Sequence, residues 1–295
     1  MGIAQAFITP SRDGLLGLVA EGDIQRKVVM VSMVQFGVQL LGFVVASFAD
    51  QMGAVLILGL QFIVLTMGGI AYFRLQINFK PPAARTLHLV RHVAQSVYEG
   101  YLTVKSSSSM SMVVVQNIAV GAFFMGSYTV TIPLLIREIY QGSANEISLV
   151  NAGNVLGLIT TVVFLMKMGN IQHKGRALLI SQILGCFALA GGALGSGISS
   201  LVGFVYCWGM CGGISMTMSR TIMQEHAPQD QRGRMMAFYS FSFMGSGPFG
   251  ALFSGYLCEW IGPLNALTVS SSLMLLVLVV VTMHSSLWDT QSSSN

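Results

Sequence analysis

Charge is what this sequence has least of. Only 9% of its 295 residues are Asp, Glu, Lys or Arg, where a water-soluble domain carries roughly a quarter. With 53% hydrophobic residues, the chain cannot hide its apolar surface from water, so the solvent it implies is the lipid bilayer. The net charge is +4, and its fifteen basic residues form no dense patch. That excludes nucleic acid as a partner, which such a patch would have to hold. Acidic groups and histidines are missing from the middle of every long apolar run. Asp50, Glu138, Glu146 and Glu259 stand at run ends on one side and His284 at a run end on the other. Proton relays and hydrolytic sites are built from such groups, so the sequence offers no catalytic residues, no enzyme and no cofactor site. The four cysteines, Cys186, Cys207, Cys211 and Cys258, all lie within apolar runs. Cys207 and Cys211 are one helical turn apart but have no third ligand nearby, so they read as small core residues and no metal site is expected. The opening GIAQAFITPSRDG lacks the basic region and apolar core of a cleavable signal peptide.

What is present is a series of eight apolar segments, at 28–49, 52–73, 110–136, 146–168, 176–196, 199–223, 234–259 and 263–284. Each is long enough to cross a hydrocarbon core of about 30 Å. The expected fold is all-α, a polytopic helical bundle with eight transmembrane helices. The third segment contains Pro133, which predicts a tilt or kink. Most connections are short; the long one, 74–109, opens with RLQINFKPPAAR, where Pro81-Pro82 stops a helix. Within it Leu87, Val90, Ala94, Val97 and Tyr101 recur at helical spacing, opposite Arg85, His88, Arg91, His92 and Glu99. That pattern predicts an amphipathic helix on the membrane surface. His88 and His92 are spaced like a metal pair, but solvated histidines on a polar face are the plainer reading.

Placing the 74–109 loop in the cytoplasm puts Arg12, Arg26, Lys27, Arg74, Lys80, Arg85, Arg91, Lys105, Lys167, Lys174, Arg176, Arg220, Arg232 and Arg234 on that side and leaves only Arg137 outside. The positive-inside bias therefore places both termini in the cytoplasm.

A repeat underlies this order. Shifted by 208 residues, Thr9, Ser11, Arg12, Arg26, Ser32, Gly37 and Gly42 meet Thr217, Ser219, Arg220, Arg234, Ser240, Gly245 and Gly250. The first two segments then correspond to the seventh and eighth, the sign of two similar halves related by an axis along the membrane normal. The expected organisation is 1–73 as the remainder of an N-terminal half, 74–109 as a cytoplasmic linker, 110–284 as a six-helix C-terminal half, and 285–295 as a cytoplasmic tail. The same offset would start the first half about one hundred residues before Met1, so the repeat leads us to expect a parent of twelve helices, of which this chain carries the fifth to the twelfth.

Three stretches carry a family resemblance: FITPSRDGLLGLVAEGDIQ, TIMQEHAPQDQRGRMMAFYS and MGSGPFGALFSGYLCEWIGP. They resemble loop and helix motifs of the major facilitator superfamily, and within it the bacterial efflux branch of enterobactin-type siderophore exporters and macrolide efflux proteins. The loop GNIQHKGRALL keeps Gly169 and Lys174-Gly175-Arg176 of the family's cytoplasmic motif but lacks its acidic residue. The Gly-Pro pair usual in the fifth helix of drug antiporters is replaced by Gly42-Phe43. The resemblance implies a secondary transporter in a bacterial inner membrane, exporting a small organic molecule by alternating access, with a proton as the candidate coupling ion. Arg12, Arg26, Lys174, Gly175, Arg176, Arg220, Arg232, Gly233 and Arg234 would form its cytoplasmic loop and gate motif.

Uncharged polar residues interrupt the apolar runs: Gln35, Gln39, Asn117, Asn151, Asn154, Gln182, Ser215 and Ser219. An amide in hydrocarbon must be paired or face water, so each either bonds between helices or lines a substrate cavity; the resemblance favours the cavity for Asn117. Nineteen methionines suit either core filling or a flexible binding surface. Gly153, Gly157, Gly209 and Gly213, in two Gly-x-x-x-Gly pairs, and the run Gly245, Gly247, Pro248, Gly250 allow close helix packing or a hinge. A transport-inactive fragment is the alternative reading of the chain.

Overall fold

A run of twenty apolar residues in hydrocarbon has to satisfy its own backbone, and a helix does this without a partner. In the computed structural model, which describes residues 24–47, 53–74, 89–195, 197–228 and 231–284, that is the outcome: helices throughout and no strand among the described residues. The helices are α1 (Ile24–Ser47), α2 (Ala54–Arg74), α3 (Leu89–Ser106), α4 (Ser108–Ile139), α5 (Ala144–Met168), α6 (Lys174–Leu194) and α7 (Ile198–His226). The last helical stretch, Arg232–His284, divides at Gly262 into α8 (232–261) and α9 (263–284). Helices α1, α4, α5, α6, α7 and the joined α8–α9 are long and apolar enough to cross a membrane, and α2 carries a shorter apolar stretch, Val55–Ala71. Residues 1–23 with Arg12, the expected tail 285–295, the Pro81-Pro82 stop and the polar side chains of Arg85, His88, Arg91 and His92 lie outside what is described.

Pro133 does not break α4. Around it the helix widens, with π-helical stretches at Val120–Met125, Ser127–Thr131 and Leu135–Ile139. Proline lacks a donor and its ring crowds the carbonyl four residues back. The wider turns, in which Ile132 N bonds Ser127 O and Tyr140 N bonds Leu135 O, absorb both defects. In α8 the backbone stays helical through Pro248. The chain turns instead at Gly262, whose φ of 79° and ψ of 160° lie in a region open essentially to glycine alone.

The bundle is held by two close crossings. Helix α7 meets α5 where Gly157 faces the Tyr206 carbonyl, Gly209 faces the Asn154 carbonyl, and Gly213 faces Thr161. A Cβ on Gly157 or Gly209 would overlap backbone, so no side chain can move aside to admit one. Helix α8 meets α4 in the same manner, with Gly250 against the carbonyls of Gly121 and Ala122, and Gly126 against Gly250 in turn. Between the crossings Trp208 packs edge-on against Phe124 at 5.6 Å and tilts over Tyr128 at 5.8 Å. Helix α9 reaches α6 through Leu267 and Gly192, and α1 packs on α5 and α7. Of α2, every described side chain but Ile57 is exposed.

Helix α3 is helical where the sequence predicts it, yet it is docked. Gly100 lies against the Phe238 ring, Val104 is buried, and Glu99 bonds Arg234 at 3.0 Å. Substituting Gly209→Leu should therefore drive α5 and α7 apart, at a cost at or above the ~1–3 kcal/mol usual for overpacking. In the full chain the thermal midpoint in detergent should fall by several degrees, while Gly203→Ala, on the same helix with nothing within 4 Å of its site, should leave it unchanged.

Candidate functional site

The residues nominated from sequence separate into three groups. The first is a seam of polar groups bonded between helices. Asn117 Nδ2 donates to Tyr239 O at 3.4 Å, joining α4 to α8. The Tyr239 hydroxyl lies 3.0 Å from Ser219 Oγ and donates to Met216 O at 3.4 Å, joining α8 to α7. Gln182 Nε2 donates to Ser215 Oγ at 2.9 Å, joining α6 to α7. On the other side of α7, Asn154 Nδ2 donates to Val205 O at 3.4 Å and Thr161 Oγ1 to Met210 O at 2.8 Å. Asn117, Gln182 and Ser219 are at most 5% exposed, which suits this bonding role. Within this seam lies Gln116, 1% exposed, with neither amide atom hydrogen-bonded. It was missed in the sequence because Asn117 beside it took the role; the adjacent amides in VVVQNIAV were the signal.

The second group is the pair Gln35 and Gln39 with Asn151. Both glutamines are exposed along α1 and Asn151 is half-buried on α5. The packing glycines form part of the crossings already described, except that Gly245 and Gly247 stand in looser contact, with Phe241 and Met125 respectively. Gly42 has nothing within 4 Å, although its repeat partner Gly250 is tightly crossed by α4.

The third group gathers at one end of the bundle, where the starts of α1, α6 and α8 and the ends of α3, α5 and α7 come together. Gln25, 2% exposed, spends its whole amide on the turn between α5 and α6: Nε2 donates to Gly169 O at 2.9 Å and Oε1 accepts from Ile171 N at 2.9 Å. Gly169 presents its carbonyl there with φ 75° and ψ −152°, again a conformation that only glycine adopts freely. Lys174, 1% exposed, is paired with Glu225 at 2.7 Å. Removing one partner of such a buried pair typically costs about 3–5 kcal/mol. Gly175 is buried and Arg176 half-buried beside it. Arg220 is buried, Arg232 half-buried, Gly233 exposed, and Arg26 exposed. Arg234 pairs with Glu99, while Thr103 Oγ1 donates to Gln231 Oε1 at 3.0 Å. Gln25 and Glu225 were not nominated from sequence, because nothing in their local pattern marks a contact made across 51 or 144 residues. The opposite end is tied by Tyr140 Oη donating to Gly195 O at 2.8 Å.

Among the described residues no group of three or more His, Cys, Asp or Glu could hold a metal ion. Because a buried unpaired amide costs roughly 1–3 kcal/mol, Gln116→Leu should hold or raise the thermal midpoint by up to a few degrees. A fall of several degrees, measured in detergent on the full chain, would show that the amide is bonded.

Comparison with known proteins places this arrangement. The family model described as Major Facilitator Superfamily matches residues 113–291, which takes in all but the first turn of α4 and the whole of α5 to α9. No curated protein matches the chain. An all-helical bundle crossed at small residues, with a seam of polar groups bonded between helices and a match over more than half its length, makes this chain a member of the Major Facilitator Superfamily, a family of secondary transporters.

Proposed function

We propose that the chain exports a small organic molecule, siderophore- or drug-like, across a bacterial inner membrane by alternating access, with the end that gathers Gln25, Lys174 and Arg234 in the cytoplasm. The observation that carries this reading is the Gln25 clasp. By the repeat, α1 belongs with the half that begins the chain and the α5–α6 turn with the half that ends it. The clasp adds two directional hydrogen bonds, which can be exchanged as the halves rock, at one end of the apolar packing of α1 on α5 and α7. In this reading 1–73 is the remainder of the first half, 74–109 the linker and 110–284 the second half, with both termini in the cytoplasm. Gln35, Gln39 and Asn151 face the substrate path, and the seam of Asn117, Asn154, Gln182, Ser215 and Ser219 holds the second half rigid beside it.

Flux decides the reading. Purified full chain, reconstituted in vesicles with its orientation checked, should show substrate-dependent transport with at least one member of a panel of siderophores and lipophilic drugs. Correct insertion with no flux across that panel would sink it. The clasp is tested separately through Ser32, which is 5% exposed on the same face of α1. In a background lacking the four native cysteines, Ser32→Cys should be protected from a membrane-impermeant maleimide, and adding Gln25→Leu should raise its labelling rate several-fold.

A further inference from the structure

We infer that the groove between α3, α4 and α8 is a binding site for one anionic phospholipid, taken from the leaflet at the basic end of the bundle. The groove encloses about 600 Å³. Its walls are Val104 from α3, Val114, Val115 and Ile118 from α4, and Phe238, Phe241 and Phe249 from α8. Phe241 is 75% exposed and Phe249 73%, so the groove opens outward along its length.

Three features select the occupant. The first is polarity. Four hydroxyl-bearing residues line the walls, Tyr101 and three serines, and each serine gives its hydrogen to a backbone carbonyl: Ser111 to Val104 O at 2.7 Å, Ser242 to Tyr239 O at 2.7 Å, and Ser246 to Ser242 O at 2.8 Å. Little along the walls is left to orient a compact polar molecule, so the occupant has a long apolar body. The second feature is charge. Lys105 is the one charged residue in the lining; it stands just before α4 begins, with its ammonium 6.0 Å over the Tyr101 ring. The neighbouring carboxylate of Glu99 is already paired with Arg234. The mouth therefore carries one positive charge at headgroup depth, where a lysine attracts an anionic lipid. The third feature is length. From Phe238 to Phe249 the α8 wall descends about 16 Å at 1.5 Å per residue, half of a core of ~30 Å. That is the depth of a single leaflet and the reach of a single acyl chain.

The site stands whether or not the chain transports anything, and its test uses no transport. The full chain in mild detergent is photolabelled with phosphatidylglycerol carrying a diazirine on its acyl chain, and the labelled peptides are mapped. Labels should concentrate on 113–118 and 238–249. Unlabelled phosphatidylglycerol should compete about fivefold better than phosphatidylcholine, the worth of one lysine beside a headgroup. Lys105→Gln should bring the two competitors to parity without abolishing labelling. Gly245→Leu should lower labelling from both lipids; Val115→Phe narrows the groove from the α4 wall if that variant fails to fold. Labels spread evenly over the exposed helices, α2 included, would overturn the inference, as would equal competition by the two lipids in the unsubstituted chain. Labelling that is lost as the chain dimerises would also overturn it, by assigning the groove to a second copy.

Discussion

Hydrocarbon leaves a buried polar group nowhere to turn but the protein, and that constraint organises the rest of this bundle. Most of the buried amides that interrupt the apolar runs are bonded between helices, Gln116 being the exception. Asn117, Tyr239 and Ser219 tie three helices into one chain of contacts, Gln182 and Ser215 add a fourth, and Asn154 and Thr161 fasten α5 to α7. Each such bond specifies an axial register as well as contributing energy, because sliding a helix by one residue would separate its partners by about 1.5 Å and turn them apart. Apolar packing alone would tolerate that slip.

Glycine supplies what the polar seam needs to form at all. Hydrogen bonds of 2.8 to 3.4 Å between a side chain and a neighbouring backbone demand axes that nearly touch. Gly157 and Gly209 bring α5 and α7 that close, and Gly121, Gly126 and Gly250 do the same for α4 and α8. Small residues and amides thus form one device in two parts: without the first, the second could not reach. The aromatic group of Phe124, Tyr128 and Trp208 fills the space left where α4 and α7 diverge from these tight points.

Much of this was legible in the sequence. Apolar runs at 146–168 and 176–196 became helices at Ala144–Met168 and Lys174–Leu194, because membrane spans are written in composition, which any window of residues reveals. The Gly-x-x-x-Gly spacing of Gly209 and Gly213 announced a crossing for a similar reason: the signal is local. Gly121 and Gly126 were passed over because their spacing matches no regular helical motif, and the π-helical turns of α4 are what bring both onto the face toward α8. The Gln25 clasp, the pairing of Lys174 with Glu225 and the docking of α3 depend on which ends meet in space. Hydropathy carries no information about that. The periodicity of α3 pointed to the membrane surface, because an apolar face reads the same whether lipid or Phe238 covers it.

The turn at Gly262 has a mechanical meaning. Two long helices are joined there by one residue, with Pro263 directly after it, so the joint has direction but no slack. A loop of several residues would let one helix shift while its neighbour stayed still. Here the two helices share one joint, and α9 is seated on α6 through Leu267. The joint lies at the end of the bundle remote from Gln25 and Arg234, between the face of α8 packed on α4 and the seat of α9 on α6.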